Sequence, residues 1–241
     1  MNPPELIAFP DTETLVQQVA ARWLDAVDAA TAVGRPFHVA LSGGRVAGRF
    51  MAAAQVLGAA RQTRWSGLHF HWGDERCVPP DHAESNYKLA QGALLDPAGI
   101  ALEQRHRLRG ELPPDEAARL AEAELARVTG TASGSVPVLD LVFLGMGEDG
   151  HVASLFPGAP ESVVTSDRWV IPVIGPKPPP QRLSLTFQVL AAAKEVWVLA
   201  SGAGKEQALA ESLRVGGSTP LAHLLSLRSH TRIMTDLPLP A

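Results

Sequence analysis

The chain of 241 residues contains one cysteine, Cys77, and one tyrosine, Tyr87. A single thiol excludes an internal disulfide framework and leaves no cysteine cluster for zinc. Cys77 stands beside Arg76, a cation that would lower its pKa and favour a reactive thiolate. No histidine is set at the spacing of a nucleophile dyad, however, so a nucleophilic role is not assigned to it. No apolar run is long enough to cross a bilayer. The opening MNPPELIAFP lacks a basic segment followed by an apolar one, so no secretory signal is read. There is also no basic excess: the formal net charge is −4, which argues against nucleic acid, whose binding domains are typically basic. The expectation is a cytoplasmic protein with neither nucleic acid nor membrane as a partner.

What is present is an ordinary globular composition, 46% hydrophobic, long enough for one domain, 1–241, with a sizeable core. Apolar runs and helical patterns alternate along it. Helices are predicted over 12–33, 46–60, 84–94, 114–128 and 205–214. Strands are predicted over 37–41, 68–71, 105–109, 139–144, 169–173, 183–185, 195–200 and 231–234. Asp11 is the expected N-cap of the first helix, and Gly34 its stop. The segment Gly216–Pro220 follows a helix rather than a strand and reads as a plain turn. Such alternation predicts an α/β fold, a single open, largely parallel Rossmann-like sheet flanked by helices.

In open α/β sheets ligands bind beyond the carboxyl ends of the strands. Three such ends carry polar groups. The run Leu139–Leu144 ends in a turn with Gly145, Gly147 and Gly150, and inside it sit Asp149 and His151. An imidazole titrates near neutral pH, so His151 can take a proton from water and return it. A lone histidine in a turn is ordinarily a capping or surface residue, and the other two strand ends change that weighing.

The strand Phe37–Leu41 ends in Ser42, Gly43, Gly44 and Arg45 before a helix. Glycines allow close backbone approach, and a helix N-terminus favours an anion. Arg45 adds a full charge. The segment is a candidate phosphate or carboxylate loop, though not a Walker loop, since the lysine and spacing are absent. The third strand end runs through Trp72 and Gly73 to Asp74, Glu75 and Arg76, then Pro79, Pro80, Ser85, Asn86 and Tyr87. Three adjacent charges ordinarily form a solvated rim, but three polar strand ends make one shared site the better reading.

Taken together the clusters resemble the 6-phosphogluconolactonases, within the glucosamine-6-phosphate isomerase/6-phosphogluconolactonase family. The matching pieces are LSGG at Leu41–Gly44, WGDER at Trp72–Arg76, SNY at Ser85–Tyr87 and GMGEDGHVASLFPG at Gly145–Gly158. RLSLT at Arg182–Thr186 and SGAGK at Ser201–Lys205 match more weakly. The WGDER and GMGEDGHVASLFPG segments are the specific ones. The family usually continues LSGG with Ser-Thr-Pro, whereas Arg45, Val46 and Ala47 follow here, replacing a hydroxyl contact with a guanidinium.

The resemblance implies hydrolysis of a phosphosugar lactone, a small-molecule substrate, by a monomer without cofactor or metal. A δ-lactone carbonyl is already electrophilic, so the chemistry asks for an activated water, oxyanion stabilisation and a grip on the phosphate. His151 is the expected general base, with Asp149 shaping its turn and Asp74 orienting the water, the histidine or a sugar hydroxyl. Arg76 can meet phosphate or developing negative charge. The resemblance adds Arg182 and Lys205 as anion ligands. The related glucosamine-6-phosphate deaminases share the GxGxDGH turn. They follow it with a phenylalanine-asparagine-glutamate-proline-glycine stretch, where this chain has Ser154–Gly158, SLFPG, without the glutamate. A non-catalytic sugar-phosphate sensor is the third reading. Such sensors commonly carry a DNA-binding module, for which the residues before Phe37 are too few.

Overall fold

The structure, a computed structural model, describes residues 3–238. In chain order its elements are β1 (Glu5–Ala8), α1 (Thr12–Ala32), β2 (Phe37–Leu41), α2 (Arg45–Arg61), β3 (Leu68–Trp72), β4 (Asp74–Arg76), α3 (Asn86–Ala90) and α4 (Pro114–Thr129). There follow β5 (Leu141–Gly145), α5 (Glu161–Val164), β6 (Val170–Ile174), β7 (Gln181–Leu185), α6 (Phe187–Ala192), β8 (Glu195–Ala200), α7 (Glu206–Leu213), α8 (Pro220–Leu227) and β9 (Thr231–Thr235).

Six strands form one sheet in the order β1-β9-β8-β5-β2-β3, with every pairing parallel. The expected open parallel sheet is therefore present. A second sheet, β4-β7-β6, is antiparallel. The sequence assigns Asp74–Arg76 to a polar strand end of the shared site and not to a strand; pairing with β7 makes it a strand, with Asp74 opposite Ser184 and Arg76 opposite Arg182.

Helix α1 forms because Asp11 accepts the Thr14 N–H at 2.7 Å, and because Leu15, Val19, Trp23 and Val27 recur at helical spacing and are buried. Trp23 meets Phe50 of α2 at 5.5 Å and Phe143 of β5 at 5.6 Å between ring centroids. Phe50 and Phe143 are 4.5 Å apart. This aromatic knot fixes α1 and α2 on one face of the sheet, so the N-terminus of α2 is held at the carboxyl ends of β2 and β5. Complete burial of such rings contributes on the order of 2–3 kcal/mol each.

Other expectations need correction. The predicted strand 105–109 contributes only a single bridge, Arg105 to Phe70. The Arg105 guanidinium folds back on the Ile100 carbonyl and on Asp96 at 2.7 Å, which keeps this segment a loop. The predicted helix 84–94 starts where Ser85 accepts the Lys88 N–H at 3.2 Å; after α3 it widens into a π turn, Gln91–Leu95. Strand β1 and helices α5, α6 and α8 lie where the sequence predicts no element. The turn at Gly216–Pro220 is a turn as expected, but it also launches α8. Thr219 caps that helix by accepting the Ala222 N–H at 3.0 Å, and Pro220 opens it. No helix among the described residues is long and apolar enough to cross a membrane.

Candidate active site

Strands β2, β5 and β8 end side by side, and the small antiparallel sheet brings β4 and β7 against their ends. The resulting pocket, about 180 Å³, is lined by Ser42, Gly43, Gly44, Arg45, Asp74, Arg76, His151, Arg182 and Lys205. Thus nine of the ten candidate residues face one space. The tenth, Asp149, is joined to it through His151.

The His151 imidazole donates from Nδ1 to Asp149 Oδ1 at 2.5 Å, and its backbone N–H reaches the same oxygen at 3.1 Å. With Nδ1 so occupied, Nε2 is the nitrogen available to a water. Burial opposes ionisation of Asp149, yet these two N–H groups hold its carboxyl below the usual range. The turn closes with the Gly147 N–H on the His151 carbonyl at 2.9 Å. A Cβ on Gly147 would fall 2.1 Å from His151 Nδ1 and 2.6 Å from Asp149 Oδ1. The glycine is there because the imidazole–carboxylate pair occupies that volume.

Asp74 is 5% exposed. One oxygen accepts the Asn86 amide at 3.2 Å and the other accepts the Ser154 hydroxyl at 2.7 Å. Its neighbour Glu75 points the other way and accepts the N–H groups of Arg76, Asn86 and Tyr87 at 2.8, 2.7 and 2.8 Å, with the Ser85 hydroxyl at 3.0 Å. Burial raises the Glu75 pKa against these bonds. Glu75 therefore staples the Ser85–Tyr87 segment onto β4, while Asp74 is aimed into the pocket. Ser42 Oγ accepts the Gly145 N–H at 3.3 Å and ties the glycine loop to the end of β5.

The cations come from two directions. Arg45 opens α2 beside Gly44, and Lys205 precedes α7. Burial, and secondly the charge of Arg45, lower the Lys205 pKa. Arg76 and Arg182 are register partners on β4 and β7. Burial, then the charge of Arg76, lower the Arg182 pKa. The Nε atoms of both arginines are buried and, among the described residues, have no hydrogen-bond partner. Four cations converging on one small pocket repel one another; Glu84, paired with Arg76 at 3.3 Å, and Asp74 offset part of this, and a bound anion would offset more.

Reading along the chain missed Asn86 and Ser201, which line the pocket, and Ser154, which holds Asp74. Asn86 lies within the SNY match but carried no assigned role, and Ser154 lies three residues past His151. The bond that matters for Ser154 spans 80 residues, so no local signal announces it. Cys77 is not an activated thiol. Burial, and secondly the charge of Glu75, push it up to about 11, which outweighs the effect expected from Arg76. Among the described residues no group of three histidine, cysteine or acidic side chains is arranged to hold a metal ion.

Residues 10–233 match the model of the glucosamine-6-phosphate isomerases/6-phosphogluconolactonase family. The chain is similar to 6-phosphogluconolactonase of Mycobacterium tuberculosis, with 39% identity over 220 residues, covering 89% of this chain and 87% of that one. Among solved structures it resembles the devB protein, with TM-score 0.86 and 33% identity over 96% of this chain and 97% of that chain. It also resembles 6-phosphogluconolactonase from Trypanosoma brucei, with TM-score 0.83 and 26% identity over 98% of this chain and 97% of that chain. With the family's motifs gathered round one pocket and its model spanning most of the sequence, the chain belongs to the glucosamine-6-phosphate isomerase/6-phosphogluconolactonase family.

Proposed function

We propose that this protein hydrolyses 6-phospho-D-glucono-1,5-lactone to 6-phospho-D-gluconate, a step of the oxidative pentose phosphate pathway. The observation that carries the reading is the Asp149–His151 pair facing the same pocket as four cations. A base and an anion grip in one small space are what a phosphorylated lactone requires.

In this reading His151 Nε2 takes a proton from a water as its oxygen attacks the C1 carbonyl. Asp149, bonded to Nδ1, steadies the imidazolium that forms. The carbonyl oxygen becomes an oxyanion, for which Arg76 is the nearby charge-assisted donor. Collapse of the tetrahedral species breaks the bond from C1 to the ring oxygen. The proton on His151 then passes to that departing oxygen, leaving a free hydroxyl and a carboxylic acid, which ionises to the carboxylate by releasing its proton to solvent. Asp74, held by Asn86 and Ser154, orients the water or a sugar hydroxyl. Ser42, Gly43, Gly44 and Arg45 at the N-terminus of α2, with Arg182 and Lys205, hold the phosphate and so set the carbonyl against the water. The reading extends to a cytoplasmic enzyme working as a monomer; every group assigned here comes from one chain, and sedimentation as a single monomer-sized species would agree with it.

The deaminase alternative is disfavoured by the SLFPG segment, which lacks a glutamate where that chemistry uses one. One assay separates the readings. Acid release from fresh 6-phosphogluconolactone above the spontaneous rate supports the lactonase. Ammonia release from glucosamine 6-phosphate instead supports the deaminase. Binding of 6-phosphogluconate with neither release supports a sensor.

A further inference from the structure

Phe156 is touched by two of the groups assigned above. Its ring centroid lies 4.7 Å from that of His151, tilted by 48°. On the same ring rests the Arg182 guanidinium, with Cζ 5.5 Å from the centroid. The turn between β6 and β7 closes on both at once: a Cβ on Gly175 would lie 3.0 Å from Phe156 Cε2 and 2.9 Å from Arg182 Nε. Phe156 also lines a second, larger cavity of about 750 Å³, bounded by Phe187, Thr219 and His223 among others. His151 and Arg182 line the smaller pocket. The ring therefore lies between the larger cavity and two side chains that line the smaller pocket.

Each neighbour needs the contact. A hydrogen bond from Nδ1 to Asp149 limits rotation of the imidazole, and packing of Phe156 against the ring narrows the direction of Nε2 further. Arg182 has even less polar support. Among the described residues its Nε has no partner, and its Nη2 donates to the Lys177 carbonyl alone, at 3.3 Å. A guanidinium lying on an aromatic face gains a cation–π attraction that partly offsets its burial.

We infer that Phe156 is a positioning residue that fixes the proton-accepting imidazole and the anion-binding Arg182 in register with each other. The inference rests on the lactonase reading for its kinetic consequence, though not for its geometric content. A side chain without a ring releases both groups together. A substrate bearing phosphate then loses twice, through the base and through the grip, whereas a neutral lactone loses only through the base.

The test compares Phe156→Leu and Phe156→Tyr with wild type on 6-phosphogluconolactone and on unphosphorylated glucono-1,5-lactone, each corrected for spontaneous hydrolysis. The Leu variant is expected to lose about 10-fold or more in kcat and to raise KM for the phosphorylated lactone alone. The ratio of kcat/KM between the two lactones should then fall by several-fold, while the Tyr variant stays near wild type. A residue needed only for folding would lower the active fraction and leave that ratio unchanged; an unchanged ratio overturns the proposal. A second measurement holds even if the protein turns over neither lactone. The His151 imidazole signals in NMR, identified by their loss in His151→Ala, should carry the ring-current shift of Phe156 and move in Phe156→Leu. Signals that stay in place would overturn the positioning role independently of any activity.

Discussion

Arg76 and Arg182 face each other in register across β4 and β7, and both Nε atoms are buried with no hydrogen-bond partner among the described residues. Like charges directly opposite in a sheet are destabilising, and burial adds to that. Glu84, paired with Arg76 at 3.3 Å, and Asp74 compensate in part; a bound anion would compensate further. Binding of 6-phosphogluconate should accordingly raise the melting temperature, and Arg182→Ala should reduce that rise. A melting temperature indifferent to product would count against an anion site here.

Selectivity for phosphate follows from the same charges. A neutral lactone gains nothing from Arg45, Arg182 or Lys205, while a phosphate accepts charge-assisted hydrogen bonds from them. Binding energy from the remote phosphate then serves the reaction at C1. Wild-type enzyme is expected to prefer the 6-phosphorylated lactone strongly over gluconolactone. Arg182→Ala and Lys205→Ala should each narrow the preference, mostly by weakening the phosphorylated substrate. Similar efficiency on both lactones in wild type would show the phosphate site to be misassigned.

Gly147→Ala separates positioning from folding. The added methyl would meet the His151 ring at 2.1 Å, and the ring is the side that can move. The expected outcome is a folded protein with turnover reduced by at least about 10²-fold, the scale of a displaced general base. Circular dichroism and the melting curve should remain close to wild type. Full activity in this variant would mean that the imidazole direction is not what matters.

Acid sensitivity has a specific source away from the pocket. His38, His69, His71 and His106 stack on the sheet face beneath α4, with ring centroids 4.8 Å apart for His38–His69 and 4.9 Å for His71–His106. His106 bonds Glu124 of α4 at 2.8 Å. Burial pushes all four imidazoles below their ordinary range, His38 to about 4. The unfolded chain binds these protons near 6.5 and the native state binds them only at lower pH. Stability is therefore complete above about 6.5 and declines as pH falls toward 4, by at most about 1.4 kcal/mol per pH unit for each titrating site. Glu124, held near 2 chiefly by its hydrogen bond to Arg127, with a further bond from His106, begins to lose its own contribution only below about 4.5. Urea midpoints should thus drop between pH 7 and pH 5, and His38→Asn should flatten the dependence. Midpoints that do not change over that range would contradict the assignment.

The parts of this molecule legible in the sequence are those whose information is local. A strand end, a glycine turn and the polar group it carries lie within a few residues, so Ser42–Arg45, Asp74–Arg76 and Asp149–His151 could be found by reading along the chain. Strand β1 could not, because ELIA is short, mostly exposed and defined by pairing with β9 at the far end of the chain. Strand β4 was hidden because its three charges show no apolar alternation and only pairing with distant β7 makes them a strand. Ser154 and Phe156 sat inside a recognised motif, yet their partners, Asp74 and Arg182, are distant in sequence. Helix α8 was legible and overlooked: Thr219 followed by Pro220 is a start signal.

The central claim is that His151 takes the proton from water. The most direct measurement is the hydrolysis rate of fresh 6-phosphogluconolactone by His151→Ala, corrected for spontaneous opening, alongside the affinity of the same variant for 6-phosphogluconate. The account predicts turnover lower by about 10²–10⁴-fold with product affinity close to wild type, because the cations and the glycine loop are untouched. Turnover near the wild-type rate would contradict it.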